Sequence, residues 1–402
     1  MQFRWLVLPV LLIIQHGDLL AQKVDSRHAL STEEFIRARG NLDNVLYRMQ
    51  AKHRARVAFL GGSITNMPGW RDQVMKHLQE SFPKTKFEFI NAGIPSLGSV
   101  PHAFRLSRDV LSKGRIDLLF IESAVNDRVN ATPEIQQRRA LEGIIRHAYA
   151  SNPYLNIVIM AFADEAKVND YNNGVVPAEI KLEDEISQYY HLSFINLAEE
   201  VTRRISNKEF SWQDDFKSLH PSPFGMRIYF NSITTLLQKE FAGRHPSRLI
   251  KNALPPAMQK LNYAHANYAD INGAKHKKGF VLDPLWQPRD SAKTRRGFVN
   301  RPMLVGEEPG ASFDLEFKGV SAGIAVVSGP DAAKISYSLD GNNEVQLDTY
   351  NRYSKSLHLP QYFLLAEDLP YKKHSLHIKI LQERNNESRG TALRVVYFLV
   401  NK

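Results

Sequence analysis

The sequence contains no cysteine. That single absence excludes disulfides, thiolate nucleophiles, zinc–thiolate sites and iron–sulfur clusters. Long hydrophobic runs are missing too. The longest near the start, Trp5 to Ile14, covers ten residues, too few to cross a bilayer about 30 Å thick as a helix. Acid is the scarcer charge, with 42 Asp and Glu against 52 Lys and Arg and a formal net charge of +10. Apolar residues are not scarce. At 43 % of the chain they rule out a mostly disordered protein. A chain of 402 residues suggests two or three domains and buries enough surface to need no staple.

The N-terminus reads as an export signal. Arg4 supplies a basic start, the apolar run follows, and Leu19-Leu20-Ala21 offers a small residue for a peptidase. Residues 1–21 are therefore expected to be removed, leaving a bacterial periplasmic or secreted protein with no stable membrane insertion.

Beyond the signal, Ser31-Thr32-Glu33-Glu34 has the spacing of a capping box and predicts a helix running towards Gln50. Short apolar runs then alternate with longer amphipathic stretches. The runs include Val57–Leu60, Phe87–Ile90, Ile116–Ile121, Ile157–Met160 and Leu192–Ile195. Helical patterns lie near 69–82, 101–113, 133–151, 177–190 and 223–241. This alternation predicts an α/β domain over 30–242, with a flavodoxin-like parallel sheet between helices and its site at the carboxyl ends of the strands. Residues 243–300 read as a basic linker or loop region. The stretch 251–301 holds ten Lys and Arg against three Asp, so it is either a solvated segment or a surface that attracts an anionic polysaccharide. From 301 to 402, short alternating runs such as Ser312–Phe317 and Ser375–Ile380, separated by turn signals, predict a β-sandwich.

Chemistry concentrates where the strands end. Gly61-Gly62-Ser63 follows the first strand and would expose a serine at the sheet edge. Asn91-Ala92-Gly93 follows the second, Asn126-Asp127 the third, and His220-Pro221 precedes the last helix, with Asp214 and Asp215 just upstream. A serine, a glycine amide, a carboxamide and an imidazole would meet at one edge.

These four blocks, in this order, resemble the SGNH (GDSL-like) hydrolase family. The resemblance spans residues 30–242 and includes Gly69-Trp70-Arg71 and His220-Pro221-Ser222-Pro223-Phe224-Gly225. It implies a three-layer α/β/α fold, ester hydrolysis with no metal or cofactor, and, for many exported members, deacetylation of carbohydrates. The tail is similar to the galactose-binding-like sandwich that some members carry. Carried over residue by residue, Ser63 would be the nucleophile and His220 the general base. The backbone N–H groups of Ser63 and Gly93 and the Asn126 side chain would receive the oxyanion.

The sequence departs from the family at three points. Gly61-Gly62-Ser63 stands for Gly-Asp-Ser, and Ala124-Val125-Asn126-Asp127 for Gly-x-Asn-Asp. Lys217 occupies the position of the acid that orients the histidine. Asp215 is the first choice for that acid and Asp214 the second. Trp70 and Arg71 are expected to brace the first helix, Glu122 to be paired structurally, and Tyr263, Tyr268 and Trp286 to be packing contacts. The leading expectation is a serine esterase acting on O-acyl, above all O-acetyl, groups of a carbohydrate. The alternatives are a lipase-like or thioester hydrolase and a non-catalytic carbohydrate-binding protein with a decayed site. Nucleic acid is not an expected partner.

Overall fold

Two-sided burial makes the strands of the first domain near-continuous apolar runs, and they assemble as that pattern requires. The computed structural model describes residues 30–402, so the expected signal segment lies outside the described residues. The first sheet contains β1 (Ile36–Arg37), β2 (Arg54–Gly61), β3 (Lys86–Gly93), β4 (Leu118–Ile121), β5 (Asn156–Ala161) and β6 (Ser193–Asn196). Its order is β1-β6-β5-β4-β2-β3. The five longer strands are parallel, and β1 is a two-residue antiparallel edge. Without that edge the order is flavodoxin-like, with its switch point between β2 and β4. Helices Trp70–Ser81, Ser99–Asp109, Glu134–Ser151, Ala178–Tyr189 and Pro223–Phe241 fall where the periodicity places them.

The helix expected from Ser31 to Gln50 is a correction. Ser31 and Glu34 do form both bonds of a capping box, but they cap one 3-10 turn, Thr32–Phe35. The chain then passes into β1 and turns at Gly40, whose φ is +70°. A Cβ there would stand 2.4 Å from the His191 carbonyl oxygen. The helix begins only at Asp43 and ends at Lys52.

The second domain is a β-sandwich that begins before residue 301. Its strands are β7 (Ala266–Ala269), β8 (Lys275–Lys278), β9 (Phe280–Trp286), β10 (Lys293–Thr294), β11 (Arg301–Gly306), β12 (Ser312–Gly319), β13 (Ser321–Ser328), β14 (Lys334–Leu339), β15 (Val345–Asp348), β16 (Leu357–Ala366), β17 (Lys372–Ile380) and β18 (Leu393–Asn401). One sheet runs β10-β16-β13-β18-β11-β9, with β7 paired to β18. The other runs β15-β14-β17-β12-β8. Alternating residues such as Ile324 and Phe398 from the first sheet meet Phe313, Ile335 and Leu376 from the second in one core.

Residues 243–300 are therefore not simply a linker. Four of their segments are sandwich strands, and the stretch 250–263 is tied to the first domain. The N–H groups of Met258 and Gln259 donate to the Glu142 carboxylate, and Tyr263 N–H donates to the Arg139 carbonyl. Tyr263 and Trp286 are buried, and Tyr268 stacks on Tyr397 with ring centroids 3.9 Å apart, so all three are packing residues. Tyr263, Ala266, Ala325 and Leu399 belong to the same apolar cluster as the parallel sheet. Among the described residues, no helix is long and apolar enough to cross a membrane.

Candidate active site

Two glycines end β2 because a side chain at either would collide with the site. A Cβ on Gly61 would lie 2.2 Å from Thr65 Oγ1, and one on Gly62 would lie 2.1 Å from Asn126 Nδ2. The chain can thus turn directly into the short helix Ser63–Asn66, with Ser63 half-buried at its start. The first N–H of a helix has no partner within the helix. That of Ser63 donates to nothing else among the described residues.

Neighbouring side chains fix this turn. Trp70 is fully buried, and its Nε1–H donates to the Ile64 carbonyl at 3.3 Å. Arg71 Nε–H donates to the Thr65 carbonyl at 3.1 Å. Both residues therefore hold the short helix that carries the serine. Arg105, which carries no motif, is also fully buried. Its guanidinium joins the ends of β2 and β3 by donating to the carbonyls of Gly61 at 3.2 Å and Ala92 at 2.7 Å, while Asp109 balances its charge.

His220 arrives from the far end of the domain. Ser222 caps helix Pro223–Phe241, its Oγ accepting from Gly225 N–H, and Pro223 occupies the first turn. The residue two before the cap is thereby aimed at the sheet edge. His220 Nε2 lies 2.8 Å from Ser63 Oγ. Ser218 Oγ steadies the backbone by accepting from His220 N–H at 3.2 Å and donating to its carbonyl at 3.0 Å. Desolvation by surrounding atoms depresses the imidazole pKa below its ordinary value, and the positive charge of Arg295 adds to this.

Asn126 lies within the short helix Ala124–Val129 after β4 and is 7 % exposed. Its carboxamide rests against Gly62 and donates no hydrogen bond within the described residues. Asp127 accepts from Ser99 N–H at 2.9 Å and so ties this helix to the start of helix Ser99–Asp109. Burial pushes its carboxyl up to about 6. Glu122, just after β4, forms no ion pair among the described residues, in place of the structural pairing expected for it. It accepts from Gly62 N–H at 3.5 Å and Val125 N–H at 3.3 Å, and burial pushes its pKa up to about 7. Glu183 joins this buried acidic group through Ser123 Oγ–H at 2.7 Å, and burial raises its pKa well above the carboxylate range.

Two expected members are placed otherwise. Gly93 N–H donates to its own neighbour, Asn91 Oδ1, at 2.9 Å, so it is not a free oxyanion donor. Gly93 serves close packing instead, since a Cβ there would stand 2.4 Å from Asn66 N. Asp215 does not reach the imidazole. Its carboxylate accepts from Ser211 N–H at 2.8 Å, and that of Asp214 accepts from Ser211 Oγ–H at 3.2 Å. The reason is the backbone. Trp212–Phe216 forms a π-helical turn, and Lys217 leaves it at φ +82°. No hydrogen bond or ion pair joins His220 to a carboxylate among the described residues.

Sequence reasoning also passed over Ser96. Ile94-Pro95-Ser96-Leu97 is a turn closed by Leu97 N–H to the Ile94 carbonyl at 3.4 Å, with Ser96 at φ +72°. Proline second and a left-handed third residue are the marks of a type II turn. Next to it, a cleft of about 580 Å³ separates the domains, with Ser96, Tyr337, Asn351, Tyr353 and Tyr362 among its lining residues. Neither Ser63 nor His220 lines it.

Residues 59–228 match the model of the GDSL-like lipase/acylhydrolase family. No curated protein sequence matches the chain. Among solved structures, a two-domain esterase (CEX) active on acetylated mannans is similar with a TM-score of 0.74 and 20 % identity, over 93 % of this chain and 99 % of that one. Its form co-crystallized with mannopentaose gives a TM-score of 0.73 at the same identity and coverage. Axe2, an acetylxylan esterase from Geobacillus stearothermophilus, is similar over 47 % of this chain and 95 % of its own, with 16 % identity and a TM-score of 0.37. The likeness to CEX is one of fold, extending through both domains. The chain carries a GDSL-like lipase/acylhydrolase domain ahead of a β-sandwich, and it is a carboxylic ester hydrolase.

Proposed function

We propose that the protein removes O-acetyl groups from a carbohydrate, using Ser63 as nucleophile and His220 as general base. One observation carries this reading: the imidazole Nε2 stands 2.8 Å from the serine hydroxyl at the edge of the parallel sheet. A serine hydroxyl attacks esters only when a base takes its proton. In the first half-reaction that proton passes to Nε2 as Oγ bonds to the carbonyl carbon. The negative charge that develops on the carbonyl oxygen is met by Ser63 N–H and the Asn126 carboxamide. Collapse breaks the bond to the sugar oxygen, which leaves with the proton from His220. Water then repeats the sequence on the acyl-serine and releases acetate. The tyrosine-bearing cleft beside Ser96 favours a sugar polymer, because aromatic faces stack on sugar rings. The signal-like start at residues 1–21 supports action outside the cytoplasm.

Two measurements test this reading. Purified protein should release acetate from acetylated glycans, with activity on p-nitrophenyl esters falling steadily beyond four carbons. A preference for chains of eight carbons or more would favour the lipase-like alternative. The pH profile is the second test. The neutral ring is the active base, and its pKa is depressed by burial and by Arg295. Activity should therefore rise with pH along a limb centred below the ordinary imidazole value of about 6.5. A limb near 7 would assign the step to Glu122 instead.

A further inference from the structure

Helix Ser99–Asp109 turns polar side chains towards the strand ends, where an apolar face would be ordinary. His102 and Arg105 stand three residues apart, so they share one face of that helix, and each is 0 % exposed. Arg105 donates to the carbonyls of Gly61 at 3.2 Å and Ala92 at 2.7 Å. His102 extends this grip to a third strand, because its Nε2 lies 3.1 Å from the Glu122 carbonyl oxygen. The captured carbonyls stand at the carboxyl ends of β2 and β3 and just past that of β4.

The partners fix the proton on the ring. Arg105 offers only donors, and its Nε and Nη2 lie 3.3 and 3.2 Å from His102 Nδ1. Nδ1 must therefore present a lone pair, which leaves the hydrogen on Nε2, facing the Glu122 carbonyl. Burial, and then the Arg105 charge, hold the ring's pKa well below its ordinary value, so it stays neutral. Asp109 balances the guanidinium at 3.1 Å.

A buried guanidinium and imidazole are a costly way to fill space. What sets these carbonyls apart is the chain that follows them. Ser63 comes two residues after Gly61, and Asn126 four residues after Glu122. Only Gly62 intervenes on one side and Ser123 to Val125 on the other, so little chain is left to slacken. The same helix is tied at its start, where Ser99 N–H donates at 2.9 Å to Asp127, the neighbour of Asn126. One rigid element thus sets how far the serine turn stands from the carboxamide.

We propose that His102 and Arg105 are positioning residues for ester hydrolysis: by clamping three strand ends to one helix, they hold Ser63 N–H and the Asn126 carboxamide at the spacing an oxyanion needs. This assignment rests on the esterase reading above and adds the pair that keeps its oxyanion donors in register.

The test is steady-state hydrolysis of p-nitrophenyl acetate and of an acetylated mannan. His102→Met removes both hydrogen bonds of the ring. It should lower kcat about 10- to 100-fold and change KM less than about threefold, since a small misplacement is felt in the transition state. His102→Gln should stay within about fivefold of wild type, because a carboxamide can donate to the Glu122 carbonyl and accept from Arg105. Combined with Asn126→Ala, His102→Met should add less than its full single loss. Thermal melting checks each fold. If His102→Met does not fold, Arg105→Lys, which puts one nitrogen in place of three, replaces it with the same expectations for kcat and KM. An unchanged kcat, a loss confined to KM, an equal loss in His102→Gln, or full additivity with Asn126→Ala overturns the proposal. Crystal structures add a readout that needs no turnover. In the variant the Asn126 carboxamide should leave its place against Gly62 by at least about 0.5 Å, and an unmoved carboxamide overturns the proposal as well. If that movement appears while wild type hydrolyses no ester, the clamp stands and the esterase reading falls.

Discussion

Ser63→Ala is expected to lower kcat for acetate release by at least about 10⁴-fold, and His220→Ala by a similar factor. The two residues form one device, since the 2.8 Å contact passes a single proton back and forth. Removing either member stops that transfer, so the double variant should be scarcely slower than either single one. Residual turnover would come from oxyanion stabilisation and from ordinary water attack on a bound ester. Ser63 is only half-buried at the start of a four-residue helix, and alanine deletes one exposed-side oxygen, so the melting temperature should barely move. Steady-state acetate assays check the expectation. If Ser63→Ala keeps more than about one per cent of wild-type kcat, another nucleophile does the work.

The second large effect concerns the oxyanion. Asn126→Ala should reduce kcat by about 10²–10³ with little change in KM, because its carboxamide would bond only to charge that appears in the transition state. The neighbouring glycine offers an independent check of the same geometry. In Gly62→Ala the new methyl would stand 2.1 Å from Asn126 Nδ2, so the carboxamide must swing away. Gly62→Ala should therefore lower kcat by a sizeable part of the Asn126→Ala effect. A rise in KM at constant kcat in Asn126→Ala would recast the residue as a ground-state contact with substrate.

Much of this fold could be read from the chain alone, for a simple reason. Strands covered on both faces must be apolar throughout, and Ile157–Met160 or Leu118–Ile121 admit few other readings. Helix ends were legible where a cap and a proline coincide, as at Ser222 and Pro223. The misses share a cause, which is that local pattern and tertiary role diverge. The capping box at Ser31 is real, but Gly40 turns the chain before a helix can grow. β8 reads as Lys-His-Lys-Lys with every residue exposed, the dress of an edge strand and not of a core one. β16 contains Pro360 and breaks alternation, yet it pairs with β13 along most of its length.

The site divides in the same way. Ser63, Asn126 and His220 sit at element ends that sequence could place. The partner of Gly93 N–H was within reach, because an asparagine two residues before a free amide commonly takes it. The acid was not within reach. Whether Asp215 meets the imidazole depends on a π-helical turn and on Lys217 in a left-handed conformation, neither of which composition announces.

Tyr263, Ala266, Ala325 and Leu399 pack into the same oily interior as the parallel sheet. The sandwich is therefore no detachable appendage. Cutting the chain near residue 242 would strip one wall from that interior and leave its greasy inner face wet.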